Sequence, residues 1–474
     1  MVGARTDEGS AEEPSTVADQ GASAGAPSTP GSPGTPGSPS TPGSGWKRTY
    51  WIVWVANLIT SVGMMSFLPF LPGLLEEIGV EGEARVALWA GVIFGAAPLS
   101  AAVMGPVWGT LGDRFGRRVM VVRAMLSIAL FVGAMAFVRT PVELLVLRLG
   151  QGLFSGFIPP SITLVSIRAP KDHQGRVAAG LQSALAVGAM VGPLIGGVFA
   201  ARGNTQGVFL WIAGLATMAS LLVWFGTEED ASQRQSAKGL SLGELSRGLA
   251  HDLALVWNAP RVKRATVLLF FLQFGLGATN PLMELYVREL HGSGSDGLAW
   301  KLLARFAPVA GETERSALLA HGTSVLFGGM ALVNLIALPI WGRYGDRAGH
   351  QVGLVFCSLG VAASLFLQAA APSYAWVFFG RMLMGAALAG AGPLAFGVAA
   401  AEIDVERRGG AFGVVFSSRL FAVSCGGAIG GALAGALGVR GLMVFAALFL
   451  LLVLGLQART HQPVDDARPS SGGA

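Results

Sequence analysis

Four ionisable side chains fall inside long apolar stretches of this 474-residue chain: Arg148, Glu284, Arg381 and Arg419. A charge in such surroundings is costly and must face protein or water. Its possible work is limited. An arginine can clamp carbonyl oxygens, hold an opposite charge or steer a proton. A carboxylate can carry a proton or meet a cation. Arg148 has Gln151 and Gly152 close behind it, one turn after the run Thr140-Pro141-Val142-Glu143. That run reads as a capping box with proline at the first helical position, which accounts for Glu143 without a functional role. Glu284 is the deepest carboxylate in any expected helix and lies near one end. Arg288 follows at i+4, the orientation of a favourable surface pair. Arg419, between Ser418 and Leu420, reads either as a tie to nearby backbone or as an interior charge.

Other chemistries find little support. No G-x-x-x-x-G-K-[ST] loop is present to cradle phosphates, so ATP-driven work is not expected. The six histidines are scattered, with no metal-ligand spacing to each other or to cysteine. Cys357 and Cys425 each sit in an apolar run and make no disulfide framework. Neither an enzyme, a cofactor nor a bound metal is expected.

The elements that must position these residues are bilayer helices. Only 13% of residues are charged and 52% are hydrophobic, with a mean hydropathy of +0.57. A soluble chain carries about 25% charged residues. Twelve spans are expected at about 49–75, 87–110, 118–138, 141–167, 176–201, 206–226, 263–288, 321–342, 351–371, 373–400, 410–437 and 439–457, each near the roughly 20 apolar residues a bilayer requires. Residues 1–45 form a Ser/Pro/Gly-rich tail that cannot bury a core, and 459–474 form a shorter one. The organisation expected is 46–226 as one six-helix bundle, 227–262 as a linker, and 263–458 as a second bundle. A further hydrophilic break, 289–320, separates spans seven and eight. Its Leu298, Trp300, Leu302, Leu303 and Phe306 suggest a short amphipathic helix at the interface.

The net charge of +5 comes from bases in short loops, not from a nucleic-acid surface. Lys47, Arg48, Arg114, Arg117, Arg118, Arg168, Lys171, Arg176, Arg261, Lys263, Arg264, Arg343, Arg347, Arg407 and Arg408 fall on one side. Arg85, Arg139, Arg202 and Arg440 fall on the other. By the positive-inside rule both termini are cytoplasmic.

The chain repeats itself. Pro106-Val107-Trp108-Gly109 leads into Gly112-Asp113-Arg114-Phe115-Gly116, and Pro339-Ile340-Trp341-Gly342 leads into Gly345-Asp346-Arg347-Ala348-Gly349. The offset of 233 also places Arg148 on Arg381, Gly152 on Gly385 and Pro160 on Pro393. Pro69 matches Pro281 at an offset of 212, so about 21 residues are inserted between spans seven and eight. Duplicated bundles with a midplane site between them are a common transporter plan.

The loop Gly109-Thr110-Leu111-Gly112-Asp113-Arg114-Phe115-Gly116-Arg117-Arg118 is, physically, a tight turn whose one acid can pair with a nearby arginine or dock on a helix N-terminus. It resembles the signature loop G-x-L-a-D-r-x-G-r-k-x of the major facilitator superfamily. The second copy departs from it at Tyr344 and His350. The resemblance covers nearly all of 47–457. It implies an all-α membrane protein of twelve transmembrane helices in two pseudo-symmetric six-helix bundles around an alternating-access cavity. It also implies that Asp113 faces Arg408 and Gly409, and that Asp346 faces Gly175 and Arg176, when the cytoplasmic side closes. Gating or coupling roles follow for Asp113, Arg114, Arg117, Asp346, Arg347 and Arg408. Arg148 with Gln151 and Gly152 resembles the family's R-x-x-Q-G motif, linked to proton coupling. Its mate Arg381 has Met384 in place of the glutamine.

Span five carries Gly188, Gly192, Pro193, Gly196 and Gly197. Glycines four apart allow close helix packing, and proline makes a kink. The pattern resembles the G-x-x-x-G-P-x-x-G-G signature of the family's antiporters and implies export. Span seven, from Phe270 to Leu290, resembles a helix of bacterial multidrug exporters, as does Phe67-Leu68-Pro69-Phe70-Leu71-Pro72 in span one. Some of those exporters couple protons through an acid in mid-helix one, and this chain has none there. Spans one, four, seven and ten are expected to line the cavity, with Asn57, Met64, Phe154, Phe157, Gln273, Phe274, Asn280, Met283 and Met384 as wall residues. Apolar and Met side chains tolerate varied ligands.

The reading is a proton-driven exporter of small amphipathic, drug-like compounds in the cell membrane, acting as a monomer. An uptake symporter or facilitator for a metabolite, and a non-transporting sensor or scaffold, remain as alternatives.

Overall fold

The computed structural model describes residues 45–170, 173–228, 242–292, 297–306, 314–404 and 407–459. Among them all regular structure is helical. In chain order the helices are α1 (Gly45–Phe67), α2 (Leu71–Glu77), α3 (Glu83–Phe115), α4 (Arg117–Met135), α5 (Pro141–Phe154), α6 (Ile158–Ser166), α7 (Gln174–Ala201), α8 (Thr205–Gly226), α9 (Leu242–Asn258), α10 (Pro260–Thr279), α11 (Met283–Gly292), α12 (Gly297–Phe306), α13 (Glu314–Ala348), α14 (His350–Ala369), α15 (Tyr374–Leu388), α16 (Ala391–Glu402) and α17 (Arg408–Arg459). Joined where short breaks interrupt them, they give 11 stretches long and apolar enough to cross a membrane.

The count of twelve is recovered at the last stretch. Helix α17 has 52 residues, which would extend about 78 Å, over twice a hydrocarbon core of about 30 Å. It turns at Gly438, whose φ of 67° and ψ of 171° are not helical. The two arms run in opposite directions. Arg440, just past the turn, bonds Glu289 at the end of α11, whereas Gln457 near the C-terminal end bonds the Arg264 carbonyl at the start of α10.

Four spans are broken, and they are spans one, four, seven and ten. Span one breaks at a 3-10 turn, Leu68–Phe70, and span seven at the matching turn, Asn280–Leu282. Each has proline at the second position, where the missing N–H weakens the helix. Span four breaks at Ser155–Phe157, where Gly156 takes a φ of 105°. Span ten breaks at Ala389 and Gly390, between α15 and α16.

The repeat is also a repeat of contacts. Trp108 Nε1 donates to the Leu153 carbonyl at 2.6 Å, and Trp341 Nε1 donates to the Ala386 carbonyl at 2.7 Å. Both partners shift by the offset of 233. Gly152 packs on the Ala97 carbonyl and Gly385 on the Met330 carbonyl, again at that offset. Gly116 and Gly349, which end the two repeated loops, have φ of 99° and 94°. Only glycine adopts such angles without strain.

Between the halves, helices meet chiefly along two seams, α3 with α17 and α7 with α13. The first is made of glycine: Gly91 and Gly95 on α3 face Ser424, Gly427 and Gly431 on α17. A Cβ on Gly91 would collide with the Gly427 carbonyl. Backbones that touch gain dispersion contacts that larger side chains would prevent. Gly91→Ala is expected to destabilise the protein by about 1–3 kcal/mol through overpacking, read as a lower unfolding midpoint in detergent. Gly214→Ala, where a Cβ meets nothing within 4 Å, should leave the midpoint unchanged or slightly higher.

Candidate functional site

Helix α9 lies at the starts of α10 and α17, and the face it occupies is called the linker face here; the opposite one is the far face. Between them sit the two buried arginines, each beside a broken helix.

Arg148 is 3% exposed on α5. Its Nε and Nη2 donate to the carbonyls of Ile93 and Phe94 on α3 at 3.3 and 3.4 Å, and Nη1 donates to Gln151 Oε1 at 2.7 Å. Its guanidinium carbon lies 5.3 Å from the Phe67 ring, at the break in span one. Arg381 is fully buried on α15. Its Nη2 donates to Asn280 Oδ1 at 2.9 Å, at the break in span seven, and its Nη1 reaches the Met384 sulfur at 3.6 Å. The Phe327 ring lies 4.9 Å away. The second copy thus keeps the first copy's arrangement with weaker groups, Met384 standing where Gln151 stands. Among the described residues neither arginine has a carboxylate within 4 Å, and Arg381 Nε has no hydrogen-bond partner. Arg419 is half-buried in α17.

Glu284 departs from the expected surface pair. It is 8% exposed and binds both halves of the protein. Arg288 Nη2 donates to its Oε1 at 2.6 Å, and the Gly73 N–H on α2 donates to its Oε2 at 3.1 Å. Arg288 Nη1 continues to Glu76 Oε2 at 2.6 Å. Four groups from the ends of spans one and seven therefore close the far face with charge-assisted bonds. The i,i+4 spacing was visible beforehand. The Gly73 and Glu76 partners, over 200 residues away, were not.

The seams agree with this closure. The tight contacts fall in their far halves: Gly91, Gly95, Gly427, Gly431 and Gly435 along one, and Gly197 and Gly328 along the other. Ser324 Oγ on α13 crosses the second seam to the Pro193 carbonyl at 2.9 Å. Toward the linker face, a Cβ on Gly105, Gly342, Gly409 or Gly413 would meet nothing within 4 Å.

In span five, Gly188, Gly192 and Gly196 pack against Ser61, Val62, Met65 and Ser66 on α1, while Gly197 packs against Ser324. The side chains of Asp113 and Arg114, and the surroundings of Gly175 in the first turn of α7, lie outside what is described. Arg117 is half-buried. Asp346 is exposed and lies 3.8 Å from His350 Nε2, with no ion pair to the exposed Arg176. Arg347 is exposed, and Arg408 donates to the Ile403 carbonyl of its own loop at 2.9 Å.

The expected wall residues divide. Met64, Phe154 and Asn280 keep some exposed surface, whereas Asn57, Phe157, Gln273, Phe274, Met283 and Met384 are buried. Asn57 accepts from Ser161 Oγ at 3.1 Å and ties span one to span four. Phe154 is stacked on Phe131 and tilted against Trp108, with centroids 5.8 and 6.0 Å apart. Phe274 packs against Phe271 and Phe449. Met283 has no surface to offer a ligand in this conformation, and Met384 has almost none and is engaged with Arg381. The sequence reading passed over Arg123 on α4, whose guanidinium lies 3.4 Å from the centre of the Trp108 ring, its nitrogens buried without hydrogen-bond partners. A basic residue two turns after a repeated tryptophan loop was the only available hint. The α12 helix also differs from expectation: Trp300 and Leu303 turn onto protein, Trp300 against His291 and Tyr374, while Leu302 is exposed. Leu298 and Phe306 lie outside the described side chains.

The Major Facilitator Superfamily profile matches residues 53–311 and 298–473. The chain is 29% identical over 348 residues to the multidrug resistance protein MdtG of Proteus mirabilis, covering 72% of this chain and 78% of that protein. It is 28% identical over 310 residues to the multi-drug resistance efflux pump PmrA of Streptococcus pneumoniae, covering 65% and 70%. The crystal structure of the human organic anion transporter MFSD10 superposes with a TM-score of 0.62 at 17% identity, over 87% of this chain and 99% of that one, which shows a shared fold.

Removing the far-face carboxylate should loosen that face. In Glu284→Ala, with spin labels at Glu81 and Gly292, the ratio of longer to shorter inter-label distances should rise about 10- to 100-fold, as expected for losing roughly 1.5–3 kcal/mol of charge-assisted bonding. An unchanged distance distribution would show that these bonds do not hold the face shut.

Proposed function

Because this chain belongs to the Major Facilitator Superfamily and is a multi-pass membrane transporter, we propose that it exports small amphipathic, drug-like compounds from the cytoplasm in exchange for protons. The observation that carries export is the glycine face of span five, with Pro193 at its centre, packed backbone to backbone on span one. The curated relatives above, named for multidrug resistance and efflux, support the same reading.

In this reading the linker face is cytoplasmic, since the short loops on that side carry most of the lysine and arginine. The tight far halves of the seams and the Glu284 lock then belong to an inward-open state. Substrate enters between the halves from the cytoplasm. The halves rock on the two seams until the linker face closes and the far face parts. A proton reaching Glu284 would remove the charge that holds Arg288 and the Gly73 N–H, and so favour that parting. Arg148 couples the cycle by tying spans one, two and four together at the break, where any shift of span one changes the guanidinium's surroundings. No cofactor is required beyond the proton gradient. The transporter works as a monomer in the cytoplasmic membrane with both termini inside.

The test is uptake of amphipathic dyes into inverted membrane vesicles. An acidic interior should drive accumulation, and collapsing the gradient should abolish it. Arg148→Ala, at normal expression, should reduce gradient-driven flux at least tenfold, and unchanged flux would remove Arg148 from the mechanism. Accumulation that follows the proton in the same direction would instead mark a symporter.

A further inference from the structure

Helix α9 takes no part in the site described above, yet its surface is organised. Leu249, Leu253 and Trp257 follow one another at i, i+4 and i+8, on one stripe of the helix, and are 48%, 52% and 57% exposed. Beside that stripe, on the same apolar face, lie Val256 and Asp252. Val256 is buried. The Asp252 carboxylate presses on the backbone of Gly410, in the first turn of α17, where a Cβ would collide with it. Arg247, His251 and Asn258 occupy the opposite side and are exposed. One flank of the apolar face is therefore used against the spans, the other flank is bare, and the polar side faces water.

The surroundings of the bare flank indicate what covers it. Only Ala259 separates α9 from α10, so Trp257 lies at the depth where span seven enters the membrane. Lys263 Nζ sits 4.3 Å from the Trp257 ring, and Arg261 and Arg264 flank it in the first turn of α10. Tryptophan beside lysine and arginine at a helix end matches the chemistry of the headgroup region.

We infer that α9 is a membrane-surface helix: Leu249, Leu253 and Trp257 insert at the boundary between headgroups and acyl chains, and Arg261, Lys263 and Arg264 engage the phosphates of anionic phospholipid. Anchored there, α9 holds Asp252 on the first turn of α17, so that membrane charge bears on the start of span eleven. The inference rests on the chain lying in a bilayer with α9 at its surface, and not on export or proton coupling.

The test is the depth of spin labels in the full-length chain reconstituted into phosphatidylglycerol-containing and phosphatidylcholine-only nanodiscs. Labels are placed one at a time by Leu249→Cys, His251→Cys, Leu253→Cys, Ala254→Cys and Trp257→Cys, after Cys357→Ala and Cys425→Ala. All five label positions are exposed, so the labels replace little packing. Labels at 249, 253 and 257 should favour oxygen over a nickel chelate, at about 5–10 Å below the phosphates, while those at 251 and 254 favour nickel. The depth should decrease in the neutral discs. Nickel access at all five positions would overturn the proposal. So would label–label broadening at 249 and 253, which would mean a second copy of the chain covers the stripe. Equal immersion in both lipids would overturn the anionic-phosphate assignment.

Discussion

A guanidinium inside a bilayer must be supplied with oxygens, because no water is at hand to solvate it. Much of this architecture can be read from that constraint. A carbonyl oxygen already used inside a helix keeps a second lone pair, and the unbroken α3 lends two such oxygens to Arg148. Breaks in the neighbouring spans lie beside both arginines. Arg148 reaches two carbonyls of α3 and lies against Phe67 where span one is broken. Arg381 reaches Asn280 where span seven is broken. The breaks recur in spans four and ten, which carry the arginines themselves. Discontinuous helices of this kind surround the substrate sites of many secondary transporters.

The rigidity needed elsewhere comes from glycine. Along α3 and α17, and along α7 and α1, backbones approach so closely that a Cβ would collide. Such contacts are stiff, because interiors are close-packed and strain is not absorbed locally. The α7 and α1 contacts stiffen the first half internally, whereas the α3 and α17 contacts hold the two halves together. The far halves of the seams are tight and the linker halves have room, so the arrangement is asymmetric across the membrane plane.

Against this packing the charged groups act as latches. The Glu284, Arg288 and Glu76 chain is partly shielded and joined to a backbone N–H of the other half. That places it above the roughly 0–1 kcal/mol of an exposed surface pair. By contrast the Asp346 and His350 contact at 3.8 Å is open to water and contributes little. The repeat has kept the geometry of the buried arginines in both halves, and among the described side chains the strongest latch between the halves lies at the far face.

Local order was legible in the residues themselves. Hydropathy located the spans, because a bilayer-length apolar run is a property of consecutive residues. The offset of 233 located the duplication, and the structure repeats the same contacts at that offset through Trp108 and Trp341. The buried charges stood out for the same reason. What tertiary structure alone decided is who meets whom. Nothing near Glu284 in sequence points to Gly73, and nothing near Arg381 points to Asn280, since both contacts depend on how distant helices pack. Phe154 belongs to a stack with Phe131 and Trp108, and Met283 and Met384 are buried in core packing, because the side of a helix that faces a cavity is set by its neighbours and not by its own composition. The turn at Gly438, by contrast, was legible beforehand in the gap between the expected spans 410–437 and 439–457, because one helix through both would be far longer than a bilayer is thick.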